Sequence, residues 1–205
     1  MSASPAPLGV GVVLFEGFEL LDVFGPLEML GKLSRITMLA ERTGPVASIQ
    51  GPRSVVDMAI ADSPGFDVIL VPGGFGTRRE ALNPPFLGAL AALAARSRYV
   101  TSVCTGAALL AKAGILDGRK ATTNKRAYAW VVSQGPKVEW IAKARWVEER
   151  KFFTSSGVSA GMDMTLGLIA RVCGRQASLE AAQDAEYEWH EDSTWDPFAK
   201  LNGLA

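Results

Sequence analysis

The chain has 205 residues, 48% of them hydrophobic, enough to bury a substantial core within one domain spanning residues 1–205. Lys plus Arg and Asp plus Glu both number 21, so the chain has no basic excess of the kind that marks a nucleic-acid surface. Two cysteines make no disulfide framework, a lone histidine (His190) excludes chemistry built on paired imidazoles, and no uncharged apolar run reaches the ~18 residues of a membrane span.

The first residues lack a basic stretch ahead of an apolar run, so no secretory signal is read, and a reducing, cytoplasmic location is expected. Residues 1–7, with Ser-Ala-Ser-Pro-Ala-Pro at 2–7, read as a flexible lead-in. Residues 8–15, LGVGVVLF, form a short Val-rich run that predicts a buried strand. A helix is expected over 27–33, with Gly25-Pro26 in its first turn. A strand over 35–40 and a hairpin-like excursion over 46–60 follow. Residues 66–76, FDVILVPGGFG, predict a central strand that runs into a glycine-rich turn. Residues 84–97 open with two prolines and are rich in Ala and Leu, which predicts a helix.

A strand at 99–104 meets a helix at 105–116, and a further helix is expected over 124–134. Residues 138–157 alternate as two strands around Glu148-Glu149-Arg150-Lys151, and helices are expected over 159–174 and 178–189. Strands that alternate with helices imply a mostly parallel sheet with helices on both faces. Such sheets carry their sites beyond the carboxyl ends of the strands. Cys104 and the Gly73-Gly74 turn both fall at such ends.

Cys104 sits at a strand-to-helix corner, where a nucleophile is presented on top of the sheet. The corner is sterically tight, and Thr105, Gly106, Ala107 and Ala108 are small enough for it. Free amides at the helix start are expected to lower the thiol pKa. A buried structural cysteine is the competing reading. Cys173 ends an apolar stripe of Met162, Leu166, Ile169 and Ala170 and reads as core. Asp22 lies in the apolar segment Leu20–Pro26, where strand one turns into a helix; a carboxylate there is either a cap or a site residue, with Glu19 in reserve. The turn at Gly73-Gly74 offers backbone amides to a cavity, or is merely tight. No His, Cys, Asp and Glu cluster has metal-ligand spacing, so no metal or other cofactor is expected.

Together these segments resemble the ThiJ/PfpI superfamily, a class I glutamine amidotransferase-like group. The resemblance rests on Leu21–Pro26, Val71–Gly74, Val103–Ala107, Ala121–Thr123, Thr154–Gly157 and Ser159–Asp163, and covers roughly residues 8–198. Asp at position 22, the Cys104-Thr105 pair and, more loosely, Glu186-Tyr187 with Pro197-Phe198 are similar to its isonitrile hydratase branch. The resemblance implies a flavodoxin-like three-layer α/β sandwich, a small-molecule substrate and a homodimer without nucleic acid or membrane partners. It implies Cys104 as nucleophile, Asp22 as general acid/base, and Thr105 beside them, with Gly73, Gly74 and Gly106 at the substrate and oxyanion subsite. Many relatives carry histidine after the Ala-Thr-Thr stretch, whereas this chain has Asn124 and Lys125. His190, far along the chain, is expected at the surface or an interface, and Trp189, Trp195 and Phe198 at an interface or pocket wall. The expected reaction hydrates an isonitrile to an N-substituted formamide. The alternatives are a glyoxalase III-like conversion of methylglyoxal to lactate and a non-enzymatic redox-sensing cysteine. The last residue is Ala205, so no DNA-binding domain is expected after the final helices.

Overall fold

The computed structural model describes residues 6–204. The expected flexible lead-in therefore lies outside the described residues up to position 5; Ala6 and Pro7 are exposed coil. The first half runs β1 (Leu8–Val13), α1 (Leu20–Leu30), β2 (Ser34–Ala40), β3 (Gly44–Ala47), β4 (Arg53–Val56), β5 (Met58–Ala59), β6 (Val68–Val71), α2 (Thr77–Glu80) and α3 (Pro84–Arg96). The second half runs β7 (Tyr99–Ser102), α4 (Gly106–Lys112), β8 (Lys120–Ala121), α5 (Tyr128–Gln134), β9 (Glu139–Trp140), β10 (Trp146–Glu149), β11 (Phe152–Ser155), α6 (Ala160–Cys173), α7 (Arg175–Asp184) and α8 (Pro197–Leu201).

Seven strands form one sheet in the order β10-β11-β7-β6-β1-β2-β5. All neighbours pair in parallel except β10 with β11, the antiparallel pair around Arg150. β6 reads Val-Ile-Leu-Val and is buried along its whole length, as a central parallel strand with both faces covered must be. Helices α1, α6 and α7 pack together, and α2, α3, α4 and α5 form the second group, giving the flavodoxin-like three-layer sandwich. α3 starts where its sequence says it should: Pro84 takes the first helical position and Asn83 Oδ1 accepts the amide of Phe86 at 3.3 Å. Its Phe86, Leu90 and Leu93 are buried in the hydrophobic core, each contributing about 1.5–3 kcal/mol by removal of apolar area from water. Among the described residues, no helix is long and apolar enough to cross a membrane.

Two expectations need correction. The helix placed at 27–33 runs from Leu20 to Leu30, with Pro26 inside it rather than at its start. Acidic Glu19 and Asp22 suit the positive end of the earlier start, and Leu20, Val23, Leu27 and Leu30 supply the inward stripe. Cys173 was expected in the core but is exposed at the last residue of α6. The buried side of that helix is carried by Met164, Leu166, Leu168 and Ile169 instead. Helices α2 and α8 are shorter than two turns and were not expected from the pattern.

A charged knot holds the tail against the sheet. Asp163 on α6 is fully buried and accepts from Arg145 Nε at 2.6 Å, the Tyr187 hydroxyl at 3.0 Å and the backbone amide of His190 at 3.0 Å. The Tyr187 hydroxyl is pushed up to about 12 by burial and by the Asp163 charge. His190 itself is exposed, as expected, and its ring stacks on Trp195 at 5.2 Å. Replacing Asp163 with Asn leaves the buried guanidinium of Arg145 without a counter-charge. The expected loss is about 3–5 kcal/mol, read as a fall in the urea midpoint; an unchanged midpoint would remove this knot from the account of stability.

Candidate active site

Three adjacent strands deliver the site. β1, β6 and β7 lie side by side, with Val12 opposite Leu70 and Val71 opposite Ser102, so their carboxyl ends share one edge. The loop after β1 leads to Asp22, β6 ends at Pro72-Gly73-Gly74, and β7 ends at Val103-Cys104. Residues separated by some eighty positions in the chain therefore meet on top of the sheet.

Cys104 has a left-handed backbone, φ 57°, which costs a non-glycine residue about 1–3 kcal/mol and clusters at functional sites. The surroundings hold it there. Its amide donates to the Ser156 carbonyl at 3.1 Å, and its carbonyl accepts the Thr123 hydroxyl at 2.7 Å. Gly106 passes so close to the Val71 carbonyl that any side chain would collide with backbone.

Asp22 is the third residue of α1, not its cap; Glu19 holds the cap position. Pro26, four residues on, has no N–H to give the Asp22 carbonyl, so the helix ladder is interrupted there. The carboxyl group is fully buried. Its Oδ2 accepts the Gly73 amide at 2.8 Å, whereas buried Oδ1 has no well-formed partner, and the Cys104 thiol lies within hydrogen-bonding reach of the group. Burial pushes the Asp22 carboxyl well above the ordinary carboxylate range, opposed by the Gly73 amide and reinforced by the nearby Glu19 charge.

The thiol departs from expectation. The Thr105 amide does lower the Cys104 pKa, as helix-start amides should, and the Asn124 side chain adds to that. Burial outweighs both, and the negative charge of Asp22 adds to it, so the thiol is pushed up rather than down. The thiol therefore holds its proton tightly beside the Asp22 charge.

Gly73, Gly74 and Gly106, expected to present amides to a substrate, have theirs committed within the fold. Gly73 donates to Asp22, Gly74 donates to Thr105 Oγ1 at 3.0 Å, and Gly106 donates to the Val103 carbonyl at 3.0 Å. These glycines instead permit close packing: a Cβ on Gly73 would lie 2.5 Å from the Thr105 nitrogen and 2.9 Å from Asp22 Oδ2, and Gly74 has φ 119°. Thr105 has two jobs, its amide facing the Cys104 sulfur and its hydroxyl bonded to the Gly74 amide and, at 3.2 Å, to Thr77.

Asn124 was noted in the sequence only as the residue where many relatives have histidine. It is the side-chain donor to the thiol, held from behind because its Oδ1 accepts the Ala127 amide at 2.9 Å. The next residue is a buried ion-pair partner. Lys125 Nζ bonds the Thr122 hydroxyl at 2.7 Å and the Ala144 carbonyl at 2.8 Å, and pairs with Asp196 at 3.4 Å. Burial lowers its pKa to about 8 against the pull of Asp196. Asp196 also caps α8 through the Phe198 amide at 2.9 Å, so this pair fixes α8 beside the site. A cavity of about 410 Å³ opens there, with Asn124, Ser156, Gly157, Leu21, Val158 and Phe198 in its lining. Cys104 lies behind its floor, bonded to Ser156 and Asn124.

The corner cysteine, the buried acid and the glycine turn all lie within the segment that a family profile covers. The profile of the DJ-1/PfpI family matches residues 9–171. The chain belongs to the DJ-1/PfpI family. Among its relatives is an isonitrile hydratase of Pseudomonas putida, 32% identical over 88% of this chain and 78% of that protein. Another is the HTH-type transcriptional regulator GbdR of Pseudomonas aeruginosa, 30% identical over 89% of this chain, which spans only 51% of the regulator. A crystal structure of a ThiJ/PfpI family protein from Pseudomonas syringae superposes with a TM-score of 0.83 at 28% identity, covering 91% of this chain and 83% of that one.

The coupling makes opposite predictions for two variants. Asp22→Asn removes the charge that raises the thiol, so the pH midpoint for alkylation of Cys104 by iodoacetamide should fall. Asn124→Ala removes a donor to the sulfur, so the midpoint should rise. Peptide mass spectrometry separates Cys104 from exposed Cys173. Midpoints that move together, or not at all, would break the assigned coupling.

Proposed function

We propose that the protein is an isonitrile hydratase-like lyase, with Cys104 as nucleophile and Asp22 as the acid/base. The observation that carries this reading is the fully buried Asp22 carboxyl within hydrogen-bonding reach of the Cys104 thiol. The likeness to the Pseudomonas putida isonitrile hydratase supports the substrate class. Asp22 takes the thiol proton, and the thiolate adds to the terminal carbon of R–N≡C. The carboxyl returns the proton to that same carbon, which leaves the thioimidate R–N=CH–S–Cys104. Asp22 then takes a proton from water as the hydroxide attacks the thioimidate carbon, and this proton passes to the nitrogen. Collapse of the adduct expels the thiolate, which regains the hydroxyl proton and leaves R–NH–CHO. Covalent catalysis thus splits one hydration into two easier steps. The Thr105 amide and the Asn124 side chain stabilise negative charge on sulfur in both steps.

A small-molecule isonitrile as ligand, a homodimer and a cytoplasmic location belong to the same proposal. Exposed apolar Leu21 and Phe24 on α1 support a self-association surface there.

Formation of N-cyclohexylformamide from cyclohexyl isocyanide is the direct test, with methylglyoxal assayed in parallel. Wild type should yield formamide, Cys104→Ala none, and Asp22→Asn about 10²-fold less or lower still, the usual scale of a lost proton carrier. Lactate from methylglyoxal with no formamide would move the site to aldehyde chemistry. Inertness toward both, with ready oxidation of Cys104 by peroxide, would favour a sensing thiol.

A further inference from the structure

The cavity beside Cys104 has a charge that its own fold does not balance. Two cations line it, Lys125 and Arg126, and no carboxylate does. Lys125 is buried and already paired with Asp196. Arg126 is exposed and, among the described residues, makes no ion pair or hydrogen bond. Besides Gly157, the remaining lining divides in two: Leu21, Val158 and Phe198 are apolar, whereas Asn124, Ser156, Ser159 and Asn202 are polar. Ser159 stands at the cap position of the fourteen-residue α6 without a side-chain cap bond, so the positive end of that helix adds to the Arg126 field.

We infer that Arg126 binds a carboxylate on the substrate, so that this site takes a molecule with an apolar body and an anionic end remote from the reacting carbon. The inference deepens the hydratase reading and rests on it for the reacting group, though the anion subsite itself does not. A guanidinium offers paired donors in the plane that a carboxylate presents, and it stays charged at any working pH. The cavity volume of about 410 Å³ falls in the range of small-molecule sites. The apolar side chains would cover the body of the ligand while Arg126, at the open side, holds its far end. Such an arrangement selects between two molecules of equal length by charge alone.

The test compares cyclohexanecarboxylate with cyclohexanecarboxamide, by ligand-observed NMR titration, on the wild-type chain, Arg126→Gln, Arg126→Lys and Arg35→Gln. Arg35 is an exposed arginine on β2, away from the cavity lining, and serves as the control. The carboxylate should bind wild type at least about threefold more tightly than the carboxamide, and added salt should erase that margin. Arg126→Gln should lose it, Arg126→Lys should keep part of it, and Arg35→Gln should leave it intact. Equal binding of the two ligands to wild type, or a margin that survives in Arg126→Gln, overturns the inference. Turnover then separates the two claims. With 4-isocyanobutanoate against n-pentyl isocyanide, the charged substrate should have the higher kcat/KM only while Arg126 is present, the change falling mainly on KM. If both isonitriles are inert but the carboxylate margin depends on Arg126, the hydratase reading fails and the anion subsite stands. If both are turned over with no dependence on Arg126, the reverse holds.

Discussion

Everything at the top of this sheet is arranged around two acidic groups buried face to face. Each is pushed toward its protonated form by burial; the Asp22 charge adds to the rise of the thiol, and the Glu19 charge to that of the carboxyl. Neither is paired with a cation, so the fold supplies only amides and an amide side chain: Gly73 to the carboxyl, Thr105 and Asn124 to the sulfur. A second charge on the pair is costly, because the Asp22 charge opposes ionisation of the thiol. The strained Cys104 backbone, the collision-free glycines and the interrupted α1 all serve that apposition, because the two side chains can meet only if the three loops approach one another closely.

The approach is a property of topology. The elements that carry Asp22, Gly73 and Cys104 follow adjacent strands, so the hydrogen-bonded register of β1, β6 and β7 sets their spacing before any side chain is considered. β11 adds the fourth support, since the Ser156 carbonyl beyond its end anchors the Cys104 amide. The tail is tied down separately. Lys125 with Asp196 is a buried ion pair that pins the chain after α7 to the body, and Asp163, buried in its pair with Arg145, accepts the Tyr187 hydroxyl and the His190 amide of that chain. Buried pairs of this kind contribute little net stability but make any other placement of the tail costly, since detachment would strand a charge. Here they hold α8, and with it Phe198, at the wall of the cavity.

Much of this was legible in the residues. The period of the strands and the proline and glycine punctuation predicted the order of most main elements, and the corner position of Cys104 was legible, but the thiol expected to be exposed there is buried. Where the reading failed, a local signal was read without its tertiary partner. Pro26 looked like a helix start because proline commonly is one; only the burial of Leu20 and Val23 against the body shows that the helix began two turns earlier. Cys173 fitted an apolar spacing, yet the helix rotates its last turn out to solvent. The glycine amides looked free because nothing in a sequence says which acceptor they meet. The sign of the thiol shift escapes the sequence for the same reason: a helix start is visible there, but the degree of burial and the charge arriving from α1 are not. Asn124 could have been found by asking what stands in for an absent histidine.

That replacement has a chemical consequence. An imidazole beside a thiol takes its proton and keeps it, which yields a standing ion pair and a nucleophile that is always on. Asn124 can donate to sulfur but has no basic nitrogen, so it stabilises a thiolate without creating one. In the proposed reaction, proton transfer then falls to Asp22 alone, and the resting thiol keeps its proton because burial and the Asp22 charge raise its pKa. A reaction suited to such a site must need a single proton carrier at each step and must offer an electrophile that accepts the returning proton at the atom the sulfur attacks. The terminal carbon of an isonitrile meets both conditions, because it gains the sulfur and the proton together. Aldehyde isomerisation does not meet the second: the sulfur adds to the carbonyl carbon, whereas the proton goes to its oxygen. The loss of the histidine therefore weighs toward hydration of an isonitrile, with one buried acid sufficient for the whole cycle.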